Sequence, residues 1–132
     1  MRRLLLVVGA GAAFGCARPQ PQQVPAGAEF ELPVGVTRRV ADGPDVTFTG
    51  VVEDSRCPID AICVQAGSAT ILLSVTCGGS WSEVRLSTRE GASADTLHGH
   101  ALRLISLLPP PRAAAPTPSE AYRVTLTVDS LR

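Results

Sequence analysis

Two cysteines, Cys57 and Cys63, lie close together in the chain, and Cys77 follows an apolar segment. A disulfide requires Cα atoms within about 7 Å of each other. Residues 69–77 alternate in the manner of a strand, which at about 3.3 Å per residue would carry Cys77 roughly 27 Å away. The sequence therefore predicts a Cys57–Cys63 disulfide and a free, buried Cys77. A zinc site is the alternative, but the Cys-x5-Cys spacing matches neither zinc fingers nor zinc ribbons.

Three carboxylates surround this cysteine pair and could bind Ca²⁺ together with backbone carbonyls: Glu53, Asp54 and Asp60. Their spacing matches no calcium-binding loop. We prefer the interpretation that Asp54 caps the turn or pairs with Arg56, and that Asp60 is solvated. No metal is therefore predicted at this loop.

The only histidines, His98 and His100, flank a glycine. Residues at i and i+2 of a strand face the same side, so the two imidazoles could bind copper or zinc. The sequence offers no third ligand. We prefer two exposed polar residues at the start of a strand, and we keep a periplasmic copper- or zinc-binding protein as the alternative function.

Residues suited to catalysis are sparse in this chain. It has no Gly-x-Ser-x-Gly motif, and its only candidate imidazole bases are the two neighbouring histidines. We therefore predict no catalytic residue and no cofactor, and a small hydrolase is a distant third hypothesis.

The charge of the chain is close to balanced. Removing Arg2 and Arg3 with a leader leaves 10 basic residues, none of them lysine, against 12 acidic residues. The arginines are scattered, which argues against nucleic acid or an anionic membrane surface as a partner.

The N-terminus has the features of a lipoprotein signal peptide. Two arginines precede an apolar run too short to span a membrane, and Phe14-Gly15-Cys16 resembles a lipobox. Residues 1–15 are therefore predicted to be removed, and Cys16 to carry a lipid such as palmitate that attaches the protein to a membrane. Because Ala17 is not an inner-membrane retention signal, we expect an outer-membrane lipoprotein facing the periplasm or the cell surface. The alternative is an ordinary signal peptide and a secreted protein with Cys16 as a spare thiol.

The rest of the chain divides into a linker and a β-domain. Residues 16–28 are rich in proline and glutamine and predict an extended tether. Residues 29–132 alternate apolar and polar side chains between turn signals, without a helical period. This pattern predicts an all-β fold of six or seven strands, a small antiparallel β-sandwich or a partly open barrel, with Trp81 at the core edge. The predicted strands cover residues 30–36, 46–52, 69–77, 81–88, 102–108 and 122–128.

The residues around the cysteine pair also carry a resemblance. Asp54-Ser55-Arg56-Cys57-Pro58, then Cys63 and Ala66-Gly67, resembles the signature of an uncharacterised family of small bacterial secreted proteins and lipoproteins. In that family a tryptophan stands where this chain has Gln65. The resemblance implies a β fold and an envelope location, and it implies no established activity.

Together these features predict a lipid-anchored, non-catalytic binding or structural module. Its partners would be the membrane, through the N-terminal lipid, and an envelope protein or ligand. A loop closed by a disulfide is preorganised, and small sandwiches commonly carry recognition on such loops. The candidate recognition residues are Asp54, Arg56, Pro58, Ile59, Asp60 and Ile62.

Overall fold

The computed structural model describes Gly15 and residues 20–131. The predicted lipidation residue Cys16, and all of the predicted signal peptide except Gly15, lie outside the described residues. Among the described residues, no helix has the length and apolar character needed to cross a membrane. They contain a single short 3-10 helix, Ser119–Ala121.

Two β-sheets form the domain. The strands of the first sheet are β1 (Gln23–Val24), β3 (Thr37–Val40), β4 (Asp45–Asp54), β5 (Ala69–Cys77) and β6 (Ser80–Ser87). They lie in the order β1-β3-β4-β5-β6, and the sheet curls like half a barrel. The strands of the second sheet are β2 (Phe30–Pro33), β7 (Ala94–Leu97), β8 (His100–Leu108) and β9 (Arg123–Ser130). Their order is β2-β9-β8-β7, and all pairs are antiparallel. The predicted all-β sandwich is confirmed.

The core lies between the sheets because alternate side chains of each strand point inward. A bulge after Phe48 changes the alternation along β4, so Val51 packs against the core and Val52 is 52% exposed. The fully buried large side chains are Leu32, Val40, Val46, Phe48, Ile71, Leu73, Val75, Leu86, Leu102, Val124, Leu126 and Val128.

The predicted strand over residues 30–36 is too long: β2 ends at Pro33 in the second sheet, and after a turn β3 begins at Thr37 in the first sheet. The chain turns at Gly35, where φ is +79° and the backbone N–H donates to the Phe48 carbonyl at 2.7 Å. Glycine adopts this conformation without steric cost. The alternation continues through the turn, which is why the sequence pattern did not reveal the change of sheet.

Part of the predicted tether belongs to the first sheet. Gln23–Val24 pairs in parallel with β3, and the Gln22 carbonyl accepts the Arg39 N–H at 3.1 Å. The edge of β3 has backbone groups that need partners, and these two residues supply them. Pro21 and Pro25 lack an N–H, which limits the pairing to a short stretch.

The sandwich has two different ends. At one end, called the loop end, the cystine loop (residues 55–68) joins β4 to β5 and the Pro-rich loop (residues 109–122) joins β8 to β9. At the other, called the hairpin end, are the tight turns at 78–79 and 98–99. Most of the predicted site residues lie at the loop end.

Candidate functional site

The disulfide joins Cys57 to Cys63, with Cα atoms 5.9 Å apart, as the strand geometry predicted. Cys77 is a free thiol at the end of β5. It is half-buried, so the prediction of a buried thiol was wrong. The exposed Gly78–Gly79 turn follows it directly, and the strand leaves the core there.

Asp54 and Arg56 form a bidentate ion pair at the end of β4. Arg56 donates from Nε to Asp54 Oδ1 and from Nη2 to Oδ2, both at 2.8 Å. The Arg56 backbone N–H also donates to Oδ1 at 3.2 Å, and the Tyr122 hydroxyl donates to Oδ2 at 3.0 Å. Both carboxylate oxygens of Asp54 are therefore hydrogen-bonded, and Asp54 pairs with Arg56 as the preferred interpretation expected.

The same arginine connects the two sheets. Its Nη1 donates to the Leu107 carbonyl at 2.8 Å, and its Nη2 donates to the Pro109 carbonyl at 3.0 Å. These carbonyls lie where β8 passes into the Pro-rich loop. The guanidinium fork suits such a position because it donates several hydrogen bonds in one plane. Only 16% of the Arg56 side chain and 10% of the Asp54 side chain are exposed.

This network shifts two pKa values in opposite directions. The hydrogen bonds from Arg56 lower the pKa of Asp54, burial opposes this, and the Tyr122 hydroxyl adds to the lowering. Burial raises the pKa of Tyr122, and its hydrogen bond to Asp54 raises it further. Asp54 is thus held as a carboxylate and Tyr122 as a neutral phenol, which is a structural arrangement rather than an acid–base pair poised near neutral pH.

Hydrogen bonds also close the base of the cystine loop. The Ser55 N–H donates to the Ser68 carbonyl at 2.8 Å, and the Ser68 N–H donates to Ser55 Oγ at 3.2 Å. Gly67 passes so close that a Cβ there would lie 1.5 Å from the Ser55 carbonyl oxygen. Glycine is therefore required at this crossing.

The cystine loop also docks on the Pro-rich loop. The Ile59 N–H donates to the Pro111 carbonyl at 3.0 Å, and the Ala113 N–H donates to Asp60 Oδ1 at 2.9 Å. Asp60 is exposed, as expected for a solvated residue, and its carboxylate also accepts this backbone hydrogen bond. The backbone of this exposed loop is therefore held at several points: by the disulfide, by the hydrogen bonds between Ser55 and Ser68, by Arg56 and by the two bonds to the Pro-rich loop.

A cleft of about 350 Å³ lies between the two loops. Its polar side chains include Asp54, Arg56 and Tyr122, which are already hydrogen-bonded to one another. Proline and alanine form much of the remaining lining: Pro58, Pro111, Ala113, Ala115 and Pro116. None of the residues lining this cleft is a serine, cysteine, histidine or lysine, so the cleft offers no activated nucleophile of these types.

The outer side of the cystine loop is apolar. Ile59 is 57% exposed, and Ile62 and Val64 are each as exposed as in an extended chain, at 103%. We call these three residues the apolar tip. The predicted recognition residues include Ile59 and Ile62 but not Val64, although the position of Val64 one residue after Cys63 was a usable signal.

The two histidines lie at the hairpin end and in different environments. His98 and Gly99 form the β7–β8 turn with φ of +49° and +76°, and His100 is buried, beside Gly43. The expectation of two histidines facing the same side of one strand was wrong, because His98 belongs to the turn. The preferred picture of two exposed histidines was also wrong, since His100 is 9% exposed. Within residues 20–131, no three metal-ligating side chains cluster.

Trp81 is also at the hairpin end. Its side chain is 64% exposed, and the indole N–H donates to Ser74 Oγ across the β5–β6 pair. The prediction that it lies at the core edge was wrong: residue 81 belongs to the outward-facing set of β6, whereas Val84 and Leu86 face inward.

Comparisons with known proteins found no relative of this chain. No protein-family model matches the chain, and neither the curated proteins nor the solved structures contain a match.

Proposed function

We propose that this protein is a lipid-anchored component of the cell envelope whose domain is a non-catalytic binding or structural module presenting the cystine loop. The anchor would be a lipid on Cys16, supported by the arginine-led apolar leader and the lipobox-like sequence. An outer-membrane location, facing the periplasm or the surface, follows from Ala17 as the next residue.

One observation carries the binding role. Ile62 and Val64 are fully exposed on a backbone that a disulfide and several hydrogen bonds hold in place. A mobile loop that carries apolar residues loses conformational entropy on binding, whereas a constrained loop loses less. An apolar surface presented in this way is typical of a contact site.

The geometry of the cleft favours a non-catalytic role for the same end of the domain. Arg56 and Asp54 use their polar atoms on each other, on Tyr122 and on backbone carbonyls. Catalytic groups need polar atoms aimed at a substrate. Here Asp54 and Arg56 join the two sheets beneath the loop and support its position.

Fractionation of cells tests the anchor. The wild-type chain should take up a labelled acyl chain and sediment with membranes, and Cys16→Ser should do neither. Ala17→Ser is the matched control, since it changes the next residue and keeps the thiol. A Cys16→Ser chain that remains in the membrane fraction, with a wild type that takes up no label, would refute the anchor.

Photo-crosslinking in cells tests the contact role of the loop. A photoreactive residue at position 62 should yield crosslinked products, and the same residue at position 80, in the exposed hairpin of the opposite end, should yield few. Equal crosslinking from Ile62 and Ser80 positions would show that the cystine loop is not the contact surface.

A further inference from the structure

β6 is the last strand of the first sheet, and one side of it is free. In the described part of the chain it pairs only with β5, and that pairing runs without a bulge from Ser80 to Ser87. The other edge strands are shorter: β1 has two residues, β2 has four and ends at Pro33, and β7 has four. Short strands, prolines and bulges are usual means by which a sheet edge avoids pairing with another chain. Since β6 has none of these, its edge is the one most open to a further strand.

The hydrogen bonds at the end of β6 show which residues face the free side. The Thr88 N–H donates to the Ala69 carbonyl of β5 at 2.9 Å, whereas the Ser87 N–H donates away from β5, to the Ala92 carbonyl at 2.8 Å. Backbone groups of an antiparallel strand point to alternate sides from one residue to the next. The N–H and C=O groups of residues 81, 83 and 85 therefore point to the free side. We call this side of residues 81–86 the β6 edge.

The chain covers this side of β6 only near Ser87, as far as the described residues show. The segment after β6 crosses there to the second sheet, and the Ala92 carbonyl takes the Ser87 N–H. The β7–β8 turn also approaches β6, with His98 Nε2 at 3.4 Å from Ser82 Oγ. Ser82, however, shares the inner face of the strand with buried Val84. That contact therefore lies under the strand, and the β6 edge stays open.

A second copy of β6 fits this edge in one register. Glu83 and Arg85 are both exposed on the outward face of the strand. In an antiparallel pair of two β6 strands, residues that face the free side must lie opposite one another, because only they have backbone groups to exchange. A two-fold axis at Val84 meets this condition. It places Glu83 opposite Arg85 of the partner subunit, and Arg85 opposite the partner's Glu83. Opposite charges in such cross-strand pairs are stabilising.

The neighbouring registers lack this complementarity. An axis at Glu83 would place two glutamates opposite each other, and an axis at Arg85 would do the same with two arginines. Like charges directly opposite each other destabilise a strand pair. In the register centred on Val84 the paired stretch covers residues 82–86, because Ala92 already occupies the backbone of Ser87.

We propose that two copies of this chain associate through the β6 edge, in an antiparallel two-fold pairing that joins their first sheets into one continuous sheet. Each Glu83 and the Arg85 that faces it would exchange two backbone hydrogen bonds and form an ion pair. So short an interface predicts a weak, reversible dimer. The cystine loop and Ser80 lie outside the paired stretch, so this inference is independent of the proposed anchor and of the proposed contact role of the loop.

Sedimentation equilibrium tests the dimer and its register. The parent protein is the full chain with Cys16→Ser, which would carry no lipid, and Cys77→Ser, which removes the free thiol. It should pass from monomer to dimer between micromolar and millimolar concentration. Glu83→Arg and Arg85→Glu, each added to this parent, place like charges opposite each other at both pairs. Each should raise the dissociation constant at least about tenfold.

Mixing the two variants is the sharper measurement. In the Val84 register the β6 edge of the Glu83→Arg chain complements that of the Arg85→Glu chain, so an equimolar mixture should dimerise about as strongly as the parent. Glu31→Arg is the matched control, since it makes the same charge change in an exposed pair with Arg123 on the second sheet and should leave the dimer unchanged. Equal circular dichroism spectra verify that all chains are folded.

Each of the remaining outcomes overturns the inference. A parent chain that stays monomeric up to millimolar concentration refutes self-association and would leave the β6 edge to a strand of another protein. A dimer that Glu83→Arg does not weaken, or that Glu31→Arg weakens equally, does not form through this edge. Two weakened variants whose mixture is no stronger than either alone would exclude the antiparallel register centred on Val84.

Discussion

The most informative single substitution is Arg56→Met. Methionine keeps the length of the side chain and removes the guanidinium, which ends four side-chain hydrogen bonds: two to Asp54 and one each to the Leu107 and Pro109 carbonyls. The Asp54 carboxylate, 10% exposed, would then keep only the Tyr122 hydroxyl and a backbone N–H. Breaking a buried pair costs about 3–5 kcal/mol. We expect the lower end, about 3 kcal/mol, because these two partners remain.

Urea unfolding at pH 7 measures this loss on the Cys16→Ser chain, which would carry no lipid. With a urea dependence of about 1–1.5 kcal/mol/M for a domain of this size, the midpoint should fall by about 2 M. Arg39→Met is the matched control. Arg39 forms an equally bidentate pair with Asp45, at 2.7 and 2.9 Å, but its side chain is 49% exposed and donates to no backbone carbonyl in the described structure.

Arg56 is largely buried and Arg39 is exposed, so the two variants should differ in their free energy of unfolding. Exposed ion pairs contribute little to stability, and the Arg39→Met midpoint should stay close to wild type. Equal shifts for Arg39→Met and Arg56→Met, or a shift below about 0.5 M for Arg56→Met, would show that Arg56 does not join the sheets energetically.

Three further changes at the loop end perturb the disulfide, the Gly67 crossing and the Asp54 carboxylate. The double change Cys57→Ser, Cys63→Ser should lower stability by roughly 2–3 kcal/mol by freeing the unfolded chain, and unfolding of the wild type with and without reductant should show the same difference. Gly67→Ala should lower stability by more than about 2 kcal/mol, because the alanine Cβ would overlap the Ser55 carbonyl oxygen. Ala66→Gly is the control. Equal urea midpoints for the two variants would contradict the close approach of Gly67 to Ser55. Asp54→Asn should be less stable than wild type at pH 7. The difference in the free energy of unfolding between the two proteins should narrow as pH falls below about 4. A carboxyl whose pKa is lowered by folding contributes stability above its unfolded pKa, and this contribution is lost as pH falls through the folded pKa. A difference that stays constant down to pH 2 would show that the Asp54 charge is not responsible.

The parts of this site that could be predicted are local in the sequence. The Cys57–Cys63 pair followed from the length of the next strand, which separates Cys77 from both. The Asp54–Arg56 pairing followed from two residues of opposite charge at the end of a strand. The all-β class followed from period-two alternation, which depends only on neighbouring residues.

The parts that could not be predicted depend on which strands become neighbours. Arg56 meets Leu107 and Pro109, and Asp60 meets Ala113, across about fifty residues of chain. No local pattern encodes such contacts, because they exist only once β4 and β8 end on the same side of the sandwich. Tyr122 reached the site in the same way, although the alternation of its strand showed that it faces inward.

The position of β9 has a consequence for the order in which the chain can fold. β9 lies between β2 and β8, so the second sheet cannot be completed before Arg123–Ser130 has been synthesised. Until then β2 lacks its hydrogen-bonding partner, and the apolar face of the first sheet lacks its cover. A nascent chain of this topology therefore cannot close the core between its two sheets until the last strand has been made.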